Sequence, residues 1–469
     1  MGDYIVTPDN TKRKKRRKRI LLFAVILPLI IIAAVFTVFR LDARSKVNAR
    51  VEAVKAQGLP TTGQELNEFY AIDTEQENAA YNFNTAFSLI TKWDYKDLGY
   101  IPFFGNNIFV SADEPISEQV RETAVQFLAD NSKALELLHQ AAKTKYCRFP
   151  IDFRQGFDTI LPHLSWGRQA MKLLCIESII NADSGRADLA VESVISALAV
   201  SRSVANEPLL VSQVMRIACN SNCFSSLEYI LNTAQFTAPQ LKDLAASLED
   251  SRNISALYRA MVGNQSNFIS VTRMSSSKLG EFSQIYYSGE SDKGAGFKAM
   301  GIDLSRFFGT WDRKVAAYMD IFAAAVEAAK LPLPERLSAF EQIEMDCKAL
   351  PNRSRIFDLF VQPDKRIVVR ELTGIARLDA ARAALAVQRY RLAENKLPGN
   401  LAELVPAYMA NIPEDPFDGK PLRYIRLETG FMIYSVGLNL IDEGGAAPDK
   451  DGGGRSKTET GDITFTINK

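Results

Sequence analysis

Ile20 to Phe39 reads ILLFAVILPLIIIAAVFTVF, twenty residues without a charge. At about 1.5 Å of rise per residue, a helix of that length covers the roughly 30 Å hydrocarbon core of a bilayer. Fifteen of the twenty are Ile, Leu, Val or Phe. At roughly −0.3 to −0.6 kcal/mol each near the helix centre, they favour insertion by about 4 to 9 kcal/mol, an upper bound because not all sit centrally. Pro28 would break a helix in water but is tolerated in a membrane helix. The stretch predicts one N-terminal transmembrane helix.

Its flanks orient it. Lys12 to Arg19, KRKKRRKR, puts eight positive charges immediately before the apolar run. Such a run reads either as an orientation signal, because Lys and Arg beside a span stay cytoplasmic, or as a nucleic-acid patch. Contiguity with the span favours orientation. With a formal net charge of only +1 over 469 residues, nothing else points to nucleic acid. After the span, Arg40, Arg44, Lys46 and Arg50 alternate with Asp42 and Glu52, so the asymmetry puts residues 1–19 in the cytoplasm as a basic tail. The apolar core exceeds the usual 7 to 15 residues of a secretory signal, and Phe39-Arg40-Leu41-Asp42 is a poor cleavage sequence. The expectation is an uncleaved single-pass anchor in the inner (cytoplasmic) membrane of a cell envelope, its lipid contact at Ile20–Phe39, a stalk over 40–60, and everything beyond about residue 45 outside.

The five cysteines, Cys147, Cys175, Cys219, Cys223 and Cys347, are scattered. A disulfide scaffold would be denser, and a zinc site would show paired C-x-x-C spacings. Cys219 and Cys223, one helical turn apart, are a metal or redox pair or, more simply, small core hydrophobes. With only His139 and His163 present, a histidine metal centre has little material.

Residues 61–370 read as an all-helical region, either a bundle or an irregular solenoid. Helical periodicity recurs over Glu75–Lys92, Ser117–Thr144, Pro208–Leu231, Pro239–Met261, Asp312–Ala329 and Leu333–Lys348. The clearest unit is Trp166–Ala205, two Ala-rich helices flanking Asn181-Ala182-Asp183-Ser184-Gly185, with Gly placed to end the first. It looks like one tetratricopeptide-type unit, but no fixed period repeats it. Ser275 to Gly309, rich in Ser, Gly and aromatics, is too long for a plain connection and reads as a flexible insertion or a lid. No H-E-x-x-H, G-x-S-x-G, P-loop or dinucleotide fingerprint occurs. His163 lies near Asp152, Arg154 and Trp166 in sequence, which is either a base with an orienting carboxylate or a partly buried histidine opening a helix after Pro162. Glu341, Glu344 and Asp346 cluster on one helix, as on a solvated face.

From residue 371 the pattern changes to α+β. Arg377–Leu392 is a strong helix, and Asn400–Met409 a short one. Leu422–Arg426 and Phe431–Val436 read as strands joined at Glu428-Thr429-Gly430, and Ile463-Thr464-Phe465-Thr466-Ile467 alternates strictly. One helix over a three-stranded antiparallel sheet is the economical fold. Pro416 and Gly419, with the carboxylates of Asp415 and Asp418 bonding locally, suit a tight turn.

An ordered set of motifs accompanies this pattern: Arg389-Tyr390-Arg391, Leu397-Pro398, Leu401, Leu404-Val405-Pro406, Pro413-x-Asp415-Pro416-Phe417, Gly419-x-Pro421, Tyr424, Tyr434-Ser435-x-Gly437 and Gly461-Asp462-Ile463. Over roughly the last 95 residues the chain thereby resembles the globular domain of the major pseudopilin of type II secretion systems, and the remainder resembles bacterial membrane-anchored helical proteins. The resemblance implies a calcium site in the loop before the last strand, matched here by Asp442 and Asp462 with Asp449 and Asp451 as further candidates; a solvated acidic loop is the alternative. The chain departs from the family in its start: the apolar helix follows KRKKRRKR, lacks the Phe-Thr-Leu-x-Glu segment and stands more than 300 residues from the module. Leader cleavage and pilus-type polymerisation are therefore not implied. The expected function is a membrane-anchored extracytoplasmic scaffold or adaptor that engages other envelope proteins near a secretion or pilus-like assembly. The alternative is an envelope-anchored enzyme of hydrolase class with a cleft in the helical region.

Overall fold

A single helix, α1 (Asn10–Ala56), carries the apolar run and continues unbroken through the stretch read as a stalk. Nothing between Arg40 and Ala56 is Gly or Pro, and Lys46–Asp42 (2.8 Å) and Lys55–Glu52 (3.1 Å) pair one turn apart. Every side chain from Ala24 to Val35 is exposed within the chain. The helix is long and apolar enough to cross a membrane.

The computed structural model describes residues 10–91, 101–103, 116–281, 295–351, 353–360, 365–446 and 461–469. After α1 come α2 (Gly63–Phe69), α3 (Ala79–Ser88), α4 (Glu118–Asp130), α5 (Ser132–Ala142), α6 (Pro162–Asp183), α7 (Ala187–Arg202) and α8 (Leu210–Thr233). They are followed by α9 (Ala238–Ser251), α10 (Ala256–Thr272), α11 (Ala295–Phe307), α12 (Thr310–Ala328), α13 (Leu333–Ala349), α14 (Arg355–Phe360) and α15 (Lys365–Glu394). The strands are β1 (Arg423–Arg426), β2 (Phe431–Ser435) and β3 (Ile463–Ile467). Two compact units form: residues 1–58, 271–320 and 350–361 make one, and 59–270, 321–349 and 362–469 the other.

Two expected helices divide. Ser117–Thr144 becomes α4 and α5, because Asn131 turns its side chain onto the Phe127 carbonyl (2.9 Å) and the Thr91 amide (2.8 Å). Pro239–Met261 becomes α9 and α10, parted at 252–255, where Asn253 accepts from the Ser255 amide (3.1 Å) in place of a helical bond. Of the expected insertion 275–309, residues 276–281 and Ala295–Phe307 are helix, while 282–294 lie outside the described residues. The Trp166–Ala205 pair forms α6 and α7, and Gly185 takes the left-handed turn (φ +72°) between them.

In the second unit α6, α7, α8 and α9 pack with α15 around Leu173, Leu198, Leu227, Leu244 and Leu385. Seventeen of the thirty residues of α15 are buried, too many for one face. One side meets α8 and α9, the other the sheet, so the expected boundary at 370/371 falls inside a helix that serves both. The sheet is a meander in the order β1-β2-β3, antiparallel throughout. Arg426 pairs with Phe431 across the turn, and Phe431 with Ile467. Phe431, Ile433, Phe465 and Ile467 share the buried face, the period-two pattern the sequence displays.

Candidate functional site

Asp415 lies at the centre of the C-terminal module. Its Oδ1 accepts from the Phe417 amide (3.0 Å) and the Ser435 hydroxyl (2.8 Å), and its Oδ2 from the Val436 amide (2.9 Å) and Arg423 Nη1 (2.9 Å). Four donors on one wholly buried carboxylate tie the Asp-Pro-Phe-Asp-Gly turn to both β1 and β2. Burial raises its pKa, opposed by the Phe417 and Val436 amides and the Ser435 hydroxyl. Asp418 accepts from the Lys420 amide (3.0 Å) and from Arg423. Burial opposes its ionisation, but the Arg423 and Lys420 contacts hold its pKa below the ordinary value. The Pro413 to Tyr434 motif residues therefore act as one hydrogen-bonded knot.

The residues expected to ligate calcium lie next to it. Asp442 Oδ1 accepts from the Tyr434 hydroxyl (2.9 Å) and the Gly444 amide (3.0 Å), and Oδ2 stands 3.8 Å from Arg423 Nε. Asp462 is only 3% exposed. Its Oδ2 accepts from the Gly445 amide (2.7 Å), while its Oδ1 is buried with no hydrogen-bond partner. Burial, joined by the like charges of Glu443 and Asp442, pushes its carboxyl up to about 6. Glu443 lies within side-chain hydrogen-bonding reach of Asp462, and that contact also raises the Asp462 pKa. Asp449 and Asp451 lie outside the described residues. Among the described residues no group of three or more His, Cys, Asp or Glu side chains is placed to hold a metal. Gly437 (φ +63°) lets the chain pass beside Asp462, since a Cβ would stand 2.5 Å from the Gly461 carbonyl oxygen.

His163 finds a carboxylate, but not the one adjacent in sequence. Asp152 is engaged by Arg154 (2.8 Å) and Asn67 (3.3 Å). His163 Nε2 instead meets Glu207 Oε1 at 2.8 Å, and its ring stacks on Phe149 with centroids 4.3 Å apart. Ser212 donates to the other Glu207 oxygen. A serine, a carboxylate and a histidine thus touch, but with the carboxylate in the middle, so the histidine cannot take the serine proton directly. His163 is 6% exposed, Glu207 and Ser212 0%. Gln213 Nε2 closes the loop above them through the Glu207 carbonyl (3.0 Å). No local spacing announces Glu207, which reaches His163 across 44 residues of chain.

The five cysteines are buried and none is in a disulfide, and burial raises the Cys219 thiol to about 12. That is a packing role, since a reactive thiol needs a depressed pKa. Glu341 and Glu344 pair with Lys365 and Lys348 at the surface. A cleft of about 400 Å³ opens at the end of α8, lined by Leu231, Phe236, Leu241 and Leu392 with Arg391 and Lys469 beside them. Burial, and then the Arg391 charge, lowers the Lys469 ammonium to about 8. Within the cleft Arg391 donates to a main-chain oxygen of Lys469, and Lys469 Nζ donates to the Ala234 carbonyl.

No family model, curated protein or solved structure matches the chain.

Proposed function

We propose that the protein is a membrane-anchored scaffold or adaptor of a bacterial cell envelope, held in the inner membrane through Ile20–Phe39 with Lys12–Arg19 cytoplasmic and the bulk extracytoplasmic. One observation carries the reading: from Ala24 to Val35 no side chain of the most apolar stretch is covered by the protein, while the potential catalytic groups His163, Glu207 and Ser212 are sealed inside. An uncovered apolar helix needs an apolar solvent, and a sealed histidine has no substrate. A hydrolase acting through this cluster would need it to open to water.

The accessible chemistry is that of recognition. The cleft walled by Leu231, Phe236, Leu241 and Leu392 suits an apolar segment of a partner protein, with an acidic neighbour that takes Arg391 from its main-chain partner. The motif order from Arg389 to Ile463 and the knot built on Asp415 support kinship of the last module with the pseudopilin domain, and with it a place beside a secretion or pilus-like assembly. Calcium at Asp462 and Asp442 belongs to the same reading, supported by the unpartnered Asp462 oxygen.

Photo-crosslinking in intact cells from Gln388, on the cleft wall, tests the binding role. Recovery of one envelope protein, lost when Arg391→Glu is introduced, is the expected result. Crosslinks indistinguishable from those of a probe at exposed Glu335 would end the adaptor reading. Alkaline phosphatase fused after Lys469 is expected to be active; inactivity there would reverse the topology.

A further inference from the structure

The first unit carries an apolar surface that its own packing leaves open. On α11, Met300 (54% exposed), Leu304 (50%) and Phe307 (55%) fall within about 60° of one another at roughly 100° per residue, and Phe308 (49%) extends the patch. The opposite side is anchored. Ile302 is buried, and Arg306 donates to Ser276 Oγ (3.0 Å) and the Thr272 (3.3 Å) and Met274 (2.5 Å) carbonyls while lying 4.8 Å over the Trp311 ring. The exposed stripe is therefore held outward.

Its level along α1 is fixed by contacts within the same unit. Phe36 meets the rings of Phe307 (5.4 Å) and Phe308 (5.5 Å). Arg313 lies 3.5 Å over the Phe39 ring, and Arg50 grips Asp320 with two 2.7 Å bonds. Gly309 (φ +70°) allows the close pass, since a Cβ would stand 3.2 Å from Arg40 Cα. Helix α12 thus follows α1 away from the apolar run, and the Phe307-Phe308 corner is left beside its last turn. Among residues 24–39 only Phe36 and Phe39 are even partly covered, the two that this corner and Arg313 touch. Arg40, Arg44 and Arg306 gather around Asp312 at that level, where lipid phosphates lie if Ile20–Phe39 spans the bilayer.

We propose that α11 with Phe308 is a second membrane-contacting element, an in-plane helix whose Met300, Leu304, Phe307 and Phe308 enter the headgroup–acyl boundary of the leaflet that Phe36 reaches. This rests on the reading of Ile20–Phe39 as a membrane span. Continuity with the span through Phe36 and the flanking arginines favour lipid over any other occupant. An amphipathic helix of this kind buries its apolar face roughly 5 to 10 Å into that boundary. Together with the span it gives the first unit two attachments and a fixed tilt to the membrane plane.

The test uses the full chain in vesicles of phosphatidylethanolamine and phosphatidylglycerol. Nitroxide labels are placed singly by Met300→Cys, Leu304→Cys, Ile31→Cys and Glu335→Cys; all four positions are exposed and the native cysteines are buried. Oxygen, which concentrates in lipid, is expected to relax the labels at positions 300, 304 and 31 several-fold more than an aqueous nickel chelate does, with the reverse at 335. Labels at 300 and 304 behaving like 335, while 31 reports lipid, would overturn the proposal and leave the span intact. A water-accessible label at 31 would bring down both. Spin–spin broadening at 300 or 304 that unlabelled chain relieves would assign the stripe to a second copy instead, and would equally overturn the lipid contact.

Discussion

Asp415 and Asp462 are two buried aspartates of one small module, and they have opposite environments. Asp415 has four donors on its two oxygens, including a guanidinium and two backbone amides. Asp462 has one amide on one oxygen, no N–H or hydroxyl donor on the other, and the carboxyls of Glu443 and Asp442 as neighbours. A buried carboxylate costs several kcal/mol unless its lone pairs are used. The first is a structural joint. The second carries a burial cost that its single amide donor does not offset, and the raised carboxyl pKa expresses that cost.

The largest test of this contrast is Asp415→Ala, which strands the Phe417 and Val436 amides and leaves Arg423 to Asp418 and Asp442 alone. A loss of about 3 to 5 kcal/mol is expected, read as a lowered denaturation midpoint of the detergent-solubilised chain; a loss below about 1 kcal/mol would mean the knot is dispensable. A buried pair elsewhere in the unit calibrates it. Arg336 Nη1 meets Glu371 Oε2 at 2.8 Å, both almost wholly buried, and burial raises the Glu371 pKa. Arg336→Met alone is expected to cost about 3 kcal/mol, and most of that should return in Arg336→Met/Glu371→Leu. Failure of the double variant to recover would show that packing, not charge, dominates there.

Calcium provides the third test. At a hundredfold excess over its dissociation constant it is expected to stabilise the chain by about 2.7 kcal/mol relative to chelator, and Asp462→Asn should abolish the response. Identical melting with and without the ion would remove it from Asp462. The smallest effect concerns protons. With a folded pKa raised to about 6, Asp462 binds its proton more tightly in the native state than in the unfolded chain, where the ordinary value is about 3.9. In chelator its contribution is therefore most favourable below about pH 4 and is lost as pH rises through about 6. Asp462→Asn is expected to stabilise the metal-free chain at pH 7 and to leave it unchanged near pH 4. A destabilised variant at pH 7 would mean that the carboxylate finds its partner without a ligand.

Local signals in the chain were sufficient for one-dimensional features. Twenty apolar residues specify a helix that suits a membrane, because length and hydropathy are properties of the stretch itself. The alternation of Ile463 to Ile467 specifies a half-buried strand, and the Asp415–Gly419 turn follows from Pro, Gly and short carboxylates acting on their own backbone. Tertiary structure decided everything that depends on a distant partner. It gave His163 to Glu207 rather than Asp152, divided two periodic stretches at Asn131 and Asn253, and drew α15 out to thirty residues by covering it on both sides. It also brought Phe307 and Phe308 to Phe36, some 270 residues earlier in the chain. Burial and pairing are properties of two surfaces at once, and a sequence read along its own length shows only one of them.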